Sequence, residues 1–453
     1  MLKYRAIVFS ACITILAASA REDGDRYQYQ STHQIIFQPT PQDDPISRLS
    51  SLKDLVELKH PATVPVSNQD LLLFDKHIKA YPEKRLIRWS DGHQEWMTEG
   101  EKSLLILKEN GRKFVDVTDW EKDEPEKQEL ISGFDQESSR ILTLDRISNR
   151  QSTFPSEIQF GLKKLKDDYF GLIQTSRMKS RLLEFSHFRT RYYRSSTGQK
   201  SQRWLLDLIQ SLVSKSSSNV TVSEFKHEWG QNSIIARFQP HPNSNETDLI
   251  KTQTFVIGAH LDSTNLLPIL SAPGADDDGS GTTSILEAFD VLLQQNWGPK
   301  PNQGAVEFMW YSAEEGGLLG SQQVARAYRD AGRTVTGMVQ FDMTAYVKAG
   351  TTPTIGLITD FVDPSLTQYL RLLIDEYLSV GWTNTRCGYA CSDHASWIKV
   401  NVPSAFAIES TFQDSNHKIH TTSDTIDVLG FSFDHMAEFS KLIIGLIIEL
   451  KGL

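Results

Sequence analysis

Two histidines and three carboxylates in the second half of the chain are of the residue types that bind divalent metal ions. They are His260, Asp277, Glu315, Asp342 and His420. The set is large enough to hold two ions that share one bridging carboxylate. Two metals about 3.5–4 Å apart can activate a water molecule for attack on a carbonyl or phosphoryl group. The five residues therefore indicate a two-metal hydrolase.

Each of these residues also has a purely structural interpretation when it is taken alone. His260 and His420 could be histidines that only hydrogen-bond to their neighbours. Asp278 is most simply the N-cap of a helix, and Asp277 beside it could be an acid that compensates the helix dipole. Asp342 could cap a turn, and a Glu-Glu pair usually lies on the surface. The position of the whole set in the fold decides between these interpretations.

The segments around the five residues alternate between short apolar runs and runs with helical periodicity. Strands are predicted at 254–259, 305–311, 338–341, 354–359 and 404–408. Helices are predicted at 156–183, after Gly198, and at 280–295, 321–330, 364–378 and 433–450. This alternation predicts an α/β fold, in which a mostly parallel (mixed) twisted sheet has helices on both faces.

The candidate metal ligands follow the ends of these predicted strands. His260 directly follows one strand, Asp342 another, and Glu315 comes shortly after a third. Asp277 lies in a turn just before a helix. Because ligands of such sheets bind at the carboxyl ends of the strands, we expect these residues to lie together. This placement favours the metal-site interpretation over the structural one.

Composition and charge exclude several function classes. The chain has 453 residues, 39% hydrophobic and 23% charged, which is typical of a soluble globular protein of two or three domains. The net charge of −10 and the lack of a large basic patch argue against a nucleic-acid partner. We expect a monomer without a membrane partner.

The first 20 residues have the pattern of a signal peptide. Lys3 and Arg5 precede an apolar run at 6–16 and a small-residue stretch that ends at Ala20. The pattern predicts cleavage after Ala20 and a secreted protein. The alternative is a membrane anchor, but the run is shorter than the roughly 20 residues that a bilayer requires.

The cysteines and the sequons agree with secretion. Cys387 and Cys391 remain after the signal peptide is removed, and in an oxidising compartment we expect them to pair with each other. Two free thiols or zinc-binding cysteines are the alternatives. Asn219 and Asn245 lie in N-x-S/T sequons and are candidate glycosylation sites.

Residues 21–150 differ from the rest and contain none of the candidate metal ligands. A polar tract at 27–45 is predicted to be disordered, and a small mixed unit follows at 83–118. We interpret this region as a propeptide that is removed by cleavage between about 134 and 154. Residues 151–453 are then the catalytic domain. The alternative is a permanent accessory domain.

Residues 155–453 resemble the zinc aminopeptidases of peptidase family M28, most closely the secreted bacterial and fungal leucine aminopeptidase type. The unit at 83–118 resembles the propeptide of the fungal members more loosely. The resemblance rests on six motifs in family order: A-H-L-D-S-T, A-P-G-A-D-D-D-G-S-G, Y-S-A-E-E-G-G-L-L-G-S, F-D-M-T, C-G-Y-A-C-S-D-H-A-S-W and I-H-T-T-S-D-T. It implies a secreted aminopeptidase with two Zn²⁺ per chain that removes N-terminal, preferably large hydrophobic, residues from peptides or proteins.

The resemblance also implies how the metal ligands divide. One zinc takes His260, Asp277 and Asp342, and the other takes Asp277, Glu315 and His420, so that Asp277 bridges the two. Cobalt and manganese suit the same histidine and carboxylate ligands.

Three further residues receive roles through the resemblance. Glu314 is the general base, Asp262 orients the imidazole of His260, and Tyr389 helps to hold the developing oxyanion. A bridge between Cys387 and Cys391 would fix the loop that carries Tyr389. The positions of the pocket for the N-terminal side chain are all apolar: Met343, Ile358, Phe406, Ile408, Phe412 and Ile419. They could equally be ordinary core residues.

Two other functions remain open at the level of the sequence. One is a different hydrolase of the same fold, such as a glutaminyl cyclase-like or carboxypeptidase-like enzyme, although these do not share the run at 387–397. The other is a peptidase-like domain that binds without catalysis. The presence of all five metal ligands and of Glu314 argues against the second function.

Overall fold

The computed structural model describes residues 68–109, 111–123, 154–240, 253–300 and 302–453. All of them belong to one compact unit that spans residues 46–453. The predicted signal peptide, the polar tract at 27–45, the cleavage region before residue 154 and the sequon at Asn245 lie outside the described residues. Within the described ranges, no helix has the length and apolar character that are needed to span a membrane.

The N-terminal part of the described chain is a small α+β unit at residues 68–123, which we call the N-terminal unit. Its strands form an antiparallel sheet of order β2-β1-β3. They are β1 (Arg85–Trp89), β2 (Gln94–Met97) and β3 (Phe114–Asp116). Its helices are α1 (Asn68–Ala80), α2 (Glu99–Lys108) and α3 (Thr118–Asp123). Helix α2 begins with a capping box between Thr98 and Glu101, a signal that is readable in the sequence.

The rest of the chain is built on an eight-stranded sheet of order β10-β9-β11-β8-β6-β7-β5-β4. The strands are β4 (Val220–Phe225), β5 (Ser233–Phe238), β6 (Thr254–His260), β7 (Ala305–Tyr311), β8 (Val335–Phe341), β9 (Thr354–Ile358), β10 (Gly381–Thr385) and β11 (Ser404–Ile408). Strand β6 pairs in parallel with both β7 and β8, whereas β4, β5 and β11 form antiparallel pairs. The predicted mixed α/β sheet is confirmed.

Helices cover both faces of this sheet. They are α4 (Leu162–Asp168), α5 (Thr175–Ser186), α6 (Ser196–Val213), α7 (Gly279–Gln294), α8 (Leu319–Asp330), α9 (Pro364–Tyr377), α10 (His394–Lys399) and α11 (Phe433–Lys451). Helices α7, α9 and α11 pack on one face with the larger core, and α8 and α10 pack on the other. Phe255 and Ile257 of β6 enter the first core and Val256 enters the second, which explains why this central strand is apolar throughout.

The sequence prediction differs from the structure in two respects. Strands β4, β5 and β10 and helices α1, α3 and α10 were not predicted. The single helix predicted at 156–183 is divided into α4, a 3₁₀ turn at Phe170–Leu172, and α5. Helix α5 starts where it does because the Glu287 carboxylate of α7 accepts the Gln174 N–H (2.8 Å) and pairs with Arg177. This contact is tertiary, so the local apolar periodicity cannot report it.

Candidate metal centre

The five candidate ligands meet at the carboxyl ends of the central strands. His260 is the last residue of β6, Asp342 directly follows β8, and Glu315 lies in the turn after β7. Asp277 lies in the loop that leads into α7, and His420 lies in the loop between β11 and α11. The parallel pairing of β6 with β7 and β8 brings their ends to one edge of the sheet, as the sequence predicted.

The distances between the ligand atoms separate the set into two triplets that share Asp277. His260 Nε2 lies 3.1 Å from Asp277 Oδ1 and 3.5 Å from Asp342 Oδ1. His420 Nε2 lies 3.0 Å from Asp277 Oδ2 and 3.0 Å from Glu315 Oε2. The two carboxylate oxygens of Asp277 therefore face two different imidazoles. This is the arrangement that a bridging carboxylate requires.

The residues of the first triplet fit a metal ion. Bonds of about 2.0–2.1 Å in a tetrahedral site place neighbouring ligand atoms about 3.3–3.4 Å apart, close to the spacings observed here. Nε2 of His260 and Oδ1 of Asp342 are buried without a hydrogen-bond partner. Because buried polar atoms are nearly always hydrogen-bonded, these atoms need a partner that a cation would supply.

Asp278 is close to the same place but serves a different purpose. One of its oxygens lies within 4.8 Å of the ligand atoms of His260 and Asp342. However, its carboxylate accepts the N–H groups of His260 (3.0 Å), Gly281 (2.8 Å) and Met343 (3.1 Å). Asp278 is the N-cap of α7, as the sequence predicted, and the peptide bond between Asp277 and Asp278 is cis. We therefore assign Asp277 to the metal.

Asp262 connects the histidine segment to the turn that carries the two glutamates. Its carboxylate accepts the main-chain N–H of Glu314 (3.0 Å) and of Glu315 (3.2 Å). Its Oδ1 also lies 3.5 Å from His260 Nδ1. The fully buried side chain of Asp262 thus positions two candidate ligands, His260 and Glu315, and the candidate base Glu314.

Two further side chains hold the carboxylate ligands, and the sequence did not single them out. Ser392 donates its hydroxyl to Asp342 Oδ2 at 2.6 Å. The Asp424 carboxylate accepts the main-chain N–H groups of Asp276 (3.0 Å) and Asp277 (3.1 Å). Both residues lie inside quoted motifs, C-G-Y-A-C-S-D-H and I-H-T-T-S-D-T. The signal for Asp424 was its position four residues after the candidate ligand His420, and the signal for Ser392 was its place in the motif that carries Tyr389.

The electrostatics of the site favour positive charge. Burial alone would lower the pKa of His420, but Glu315 and Asp277 raise it to about 10. The pKa of His260 is raised in the same way, against burial, by Asp342 and Glu314. Both shifts show that the surrounding carboxylates stabilise positive charge at this place. In the metal-free site, burial raises the pKa of Glu314 well above its usual range and nearby carboxylates add to this, whereas bound cations would lower it and keep the carboxylate able to accept a proton.

Three residues of the site have a left-handed backbone that is uncommon outside glycine. They are Ala313 (φ 56°), Met343 (φ 57°) and His420 (φ 56°). Ala313 directly precedes Glu314, and Met343 directly follows Asp342. Such conformations cost free energy and concentrate at functional sites, where the surrounding structure enforces them.

An apolar cluster borders the metal centre on one side. Five of the six predicted pocket residues line the cavity that also contains Glu314 and Asp277: Met343, Phe406, Ile408, Phe412 and Ile419. The sixth, Ile358, packs in the same apolar cluster but does not line the cavity. Val362 belongs to the cluster and was not predicted.

The loop that carries Tyr389 closes another side of this cavity. Cys387 and Cys391 are joined by a disulfide, and the Asp360 carboxylate accepts the Cys387 N–H at 3.2 Å. Tyr389 lines the cavity together with Cys391. Burial and the nearby Glu314 carboxylate raise the pKa of Tyr389 well above its usual range, so its hydroxyl stays protonated. It can therefore donate a hydrogen bond.

The N-terminal unit contributes another wall of the cavity. The lining residues from this unit are Glu99, Lys102, Ser103, Ile106, Gly111, Arg112, Lys113 and Phe114. Lys102 Nζ lies 3.4 Å from the Gly316 carbonyl, and the Asp116 N–H donates to the Gly317 carbonyl at 3.2 Å. Gln322 of α8 donates to the Asp116 carbonyl at 2.8 Å. The unit is thus attached to the turn that carries Glu314.

Comparisons with known proteins agree with the resemblance. The sequence profile of Peptidase family M28 matches residues 234–446. Leucine aminopeptidase 1 of Sclerotinia sclerotiorum is 44% identical over 380 residues, which cover 81% of this chain and 89% of that protein. The same-named protein of Uncinocarpus reesii is 45% identical over 386 residues, with coverage of 81% and 89%. The crystal structure of the Legionella pneumophila LapA aminopeptidase is similar, with a TM-score of 0.64 and 27% identity over 82% of this chain and 98% of that chain.

Proposed function

This chain belongs to peptidase family M28 and is a metallo-aminopeptidase, and we propose that it uses two zinc ions to remove large apolar N-terminal residues from peptides. Membership of the family favours this function over a binding domain without catalysis. The observation that carries the two-ion proposal is the position of Asp277. Its two oxygens face His260 at 3.1 Å and His420 at 3.0 Å.

The chain's own residues have separate duties in this proposal. Bound zinc would polarise the scissile carbonyl and lower the pKa of the attacking water. Glu314 accepts a proton from that water and later delivers it to the leaving amine, because its carboxylate is not needed as a ligand. Tyr389 donates its hydroxyl to the oxygen on which negative charge develops.

The apolar cluster supports the proposed preference for large N-terminal side chains. Met343, Phe406 and Ile408 are buried beside the metal centre and offer no charge to a substrate. The relatives of 44% and 45% identity are named leucine aminopeptidases. An apolar pocket separates side chains that differ by one methylene by only about 1–3 kcal/mol. We therefore expect leucine, methionine and phenylalanine to be accepted, and acidic residues to be rejected.

A chromogenic assay tests this function. We expect the protein, after cleavage between about residues 134 and 154, to release p-nitroaniline from Leu-p-nitroanilide. A chelator should abolish the activity, and zinc should restore it. N-acetyl-Leu-p-nitroanilide is the control, because an aminopeptidase requires a free amine. If the acetylated substrate is cleaved equally well, or if the chelator has no effect, the proposal is wrong.

The cellular context belongs to the same proposal. The signal-peptide pattern at 1–20 supports secretion, and Asn219 is exposed where an N-linked glycan could be attached. We propose that the N-terminal unit is part of a propeptide that restrains activity, because its residues line the cavity of the metal centre. The N-terminal sequence, mass and glycan content of the secreted protein test these points. Gel filtration tests the expected monomer.

A further inference from the structure

Arg191 is a fully buried arginine close to the metal centre, in the segment between α5 and α6. Its guanidinium donates to main-chain carbonyls: Nε to Leu261 at 3.0 Å, Nη2 to Gly274 at 2.9 Å, and Nη1 to Pro273. Among the described residues, no carboxylate forms an ion pair with it. Because the N–H groups of its planar guanidinium donate to main-chain carbonyls, Arg191 acts as a rigid connector between the segments that carry those carbonyls.

The carbonyls belong to the two segments that supply ligands to one metal position. Leu261 lies directly between His260 and Asp262, and Gly274 begins the short loop that leads to Asp277. The single guanidinium plane therefore sets the distance between the histidine segment and the segment of the bridging aspartate. The guanidinium also packs over the ring of Phe185 of α5, with Cζ 4.3 Å from the ring centre, and this contact holds the guanidinium plane in place.

The main chain around Arg191 ties the same segments together. The Arg191 N–H donates to Ser263 Oγ at 3.0 Å, and this hydroxyl donates in turn to the Ala272 carbonyl at 2.8 Å. The Ala272 N–H donates to the Arg189 carbonyl at 2.8 Å. Both ligand segments are thus bonded to one short stretch of chain, by side chain and by backbone.

The charge of Arg191 cannot by itself assist metal binding. Burial lowers its pKa to about 10, so the guanidinium is charged at neutral pH. A fixed cation near the site repels a divalent metal ion and opposes its binding. Any benefit to the metal centre must therefore come from geometry.

We propose that Arg191 is a positioning residue that fixes the spacing between His260 and Asp277 and thereby sets the affinity of the metal position that they share. The inference rests on the proposed two-zinc function. It predicts that replacing the arginine has two opposite effects on zinc affinity, one through charge and one through geometry. A neutral residue removes the repulsion but loses the connector, and lysine keeps the charge but also loses the connector.

Zinc affinity, measured by competition with a chromophoric chelator, tests the proposal on Arg191→Lys, Arg191→Met and Arg237→Met. Substitution of a residue that orients metal ligands typically costs about 10–100-fold in affinity. We expect both Arg191 variants to bind one of the two zinc ions about 10-fold more weakly or worse, and kcat to recover at saturating zinc. Arg237 is the matched control, because it is also buried, at 4% exposure, but pairs with Glu307 at the opposite end of β7. Arg237→Met should keep the affinity of the wild type.

Several outcomes would overturn the inference. Zinc binding by Arg191→Met that is as tight as in the wild type, or tighter, would leave only a charge effect or none. An equal loss in Arg237→Met would indicate general destabilisation. If the Arg191 variants do not fold, Ser263→Ala replaces them, because it removes the hydroxyl that links the Arg191 N–H to the Ala272 carbonyl. We expect zinc affinity to fall about 3-fold in this variant, and wild-type affinity would refute the proposal that the Arg191 stretch fixes the two ligand segments. A wild-type protein that binds no zinc would instead overturn the proposed function itself.

Discussion

At the scale of single residues, the site separates carboxylates of identical chemistry into different duties. Asp277 faces both imidazoles, Asp278 caps a helix, and Asp262 holds the turn that carries the two glutamates. The same separation applies to the adjacent pair Glu314 and Glu315. Only Glu315 lies within ligand distance of His420, at 3.0 Å. The environment of each carboxylate, rather than its type, decides what it does.

Substitution of the two glutamates tests this division. Glu314→Gln should reduce kcat for Leu-p-nitroanilide by about 10²–10⁴-fold, the usual contribution of a general base, while zinc content stays near that of the wild type. Glu315→Gln removes a charged ligand and should lose zinc. Elemental analysis after dialysis and the kinetic assay measure the two effects separately. Loss of zinc in Glu314→Gln would show that base and ligand have been exchanged.

At the scale of elements, a few buried polar side chains join neighbouring helices and strands. Glu287 of α7 accepts from Arg177 Nε (2.9 Å), Arg181 Nη1 (3.2 Å) and the Gln174 N–H (2.8 Å), so that α5 is fixed to α7. His227 joins β5 to α8, because its ring nitrogens bond Ser233 Oγ (2.7 Å) and Gln323 Oε1 (2.6 Å). The contacts of Glu287 and His227 determine where helices begin and how they pack. Each contact can be tested by substitution.

Glu287→Gln should lower the free energy of unfolding by about 2–4 kcal/mol, because two arginines lose a buried carboxylate partner. Urea unfolding of the metal-free protein measures the change. Glu157→Gln is the control, since Glu157 is exposed and should change stability by less than about 0.5 kcal/mol. Equal stability of Glu287→Gln and wild type would contradict the assigned role of the carboxylate.

Acid should weaken the contact that His227 makes. Burial lowers the pKa of His227 from 6.5 to about 4, against the effect of Gln323. The unfolded chain then binds a proton that the folded protein excludes, so this contribution is complete above pH 6.5 and is lost as the pH falls towards 4. The difference between these two pKa values corresponds to a loss of roughly 3 kcal/mol in the free energy of unfolding.

His227→Gln is the variant that isolates this effect, because glutamine does not titrate. We expect it to be less stable than the wild type at pH 7.5 but to lose less stability between pH 6.5 and 4. Urea unfolding at a series of pH values, with chelator present throughout, provides the measurement. Parallel curves for the two proteins would mean that His227 does not titrate as proposed.

At the scale of the whole molecule, the N-terminal unit and the metal centre share one cavity. Glu99 and Lys102 form a buried ion pair at 2.9 Å beside that cavity. Burial alone would raise the pKa of Glu99, but the Lys102 ammonium holds it below its usual range. Because Lys102 also reaches the Gly316 carbonyl at 3.4 Å, it connects the unit to the turn that carries Glu314.

Lys102→Ala should weaken the attachment of the N-terminal unit. Removing one partner of a buried ion pair leaves an uncompensated charge, at a cost of about 3–5 kcal/mol. We expect the uncleaved variant to hydrolyse Leu-p-nitroanilide faster than the uncleaved wild type, and the two cleaved forms to have equal rates. Lys76→Ala, an exposed change on the same unit, is the control. Equal rates for uncleaved and cleaved wild-type protein would argue against restraint by this unit.

Periodicity and motif position were enough to predict the mixed sheet and the strands that end at the site. This succeeded because strand β6 is buried on both faces and therefore apolar throughout, and because His260 and Asp342 directly follow apolar strands. The edge strand β4 was missed, since its residues are only partly buried and carry no comparable signal. The break between α4 and α5 was missed because it depends on Glu287, which is distant in the sequence.

The sequence by itself determined the kinds of atom available for chemistry and the order in which the chain presents them. Only the tertiary structure decided which carboxylate faces both imidazoles, which residues hold the ligands in place, and that the N-terminal unit lines the same cavity. The reason is that these properties depend on distances between segments far apart in the chain. Arg191 illustrates this, because its role is visible only when Leu261 and Gly274 are seen within hydrogen-bond distance of one guanidinium.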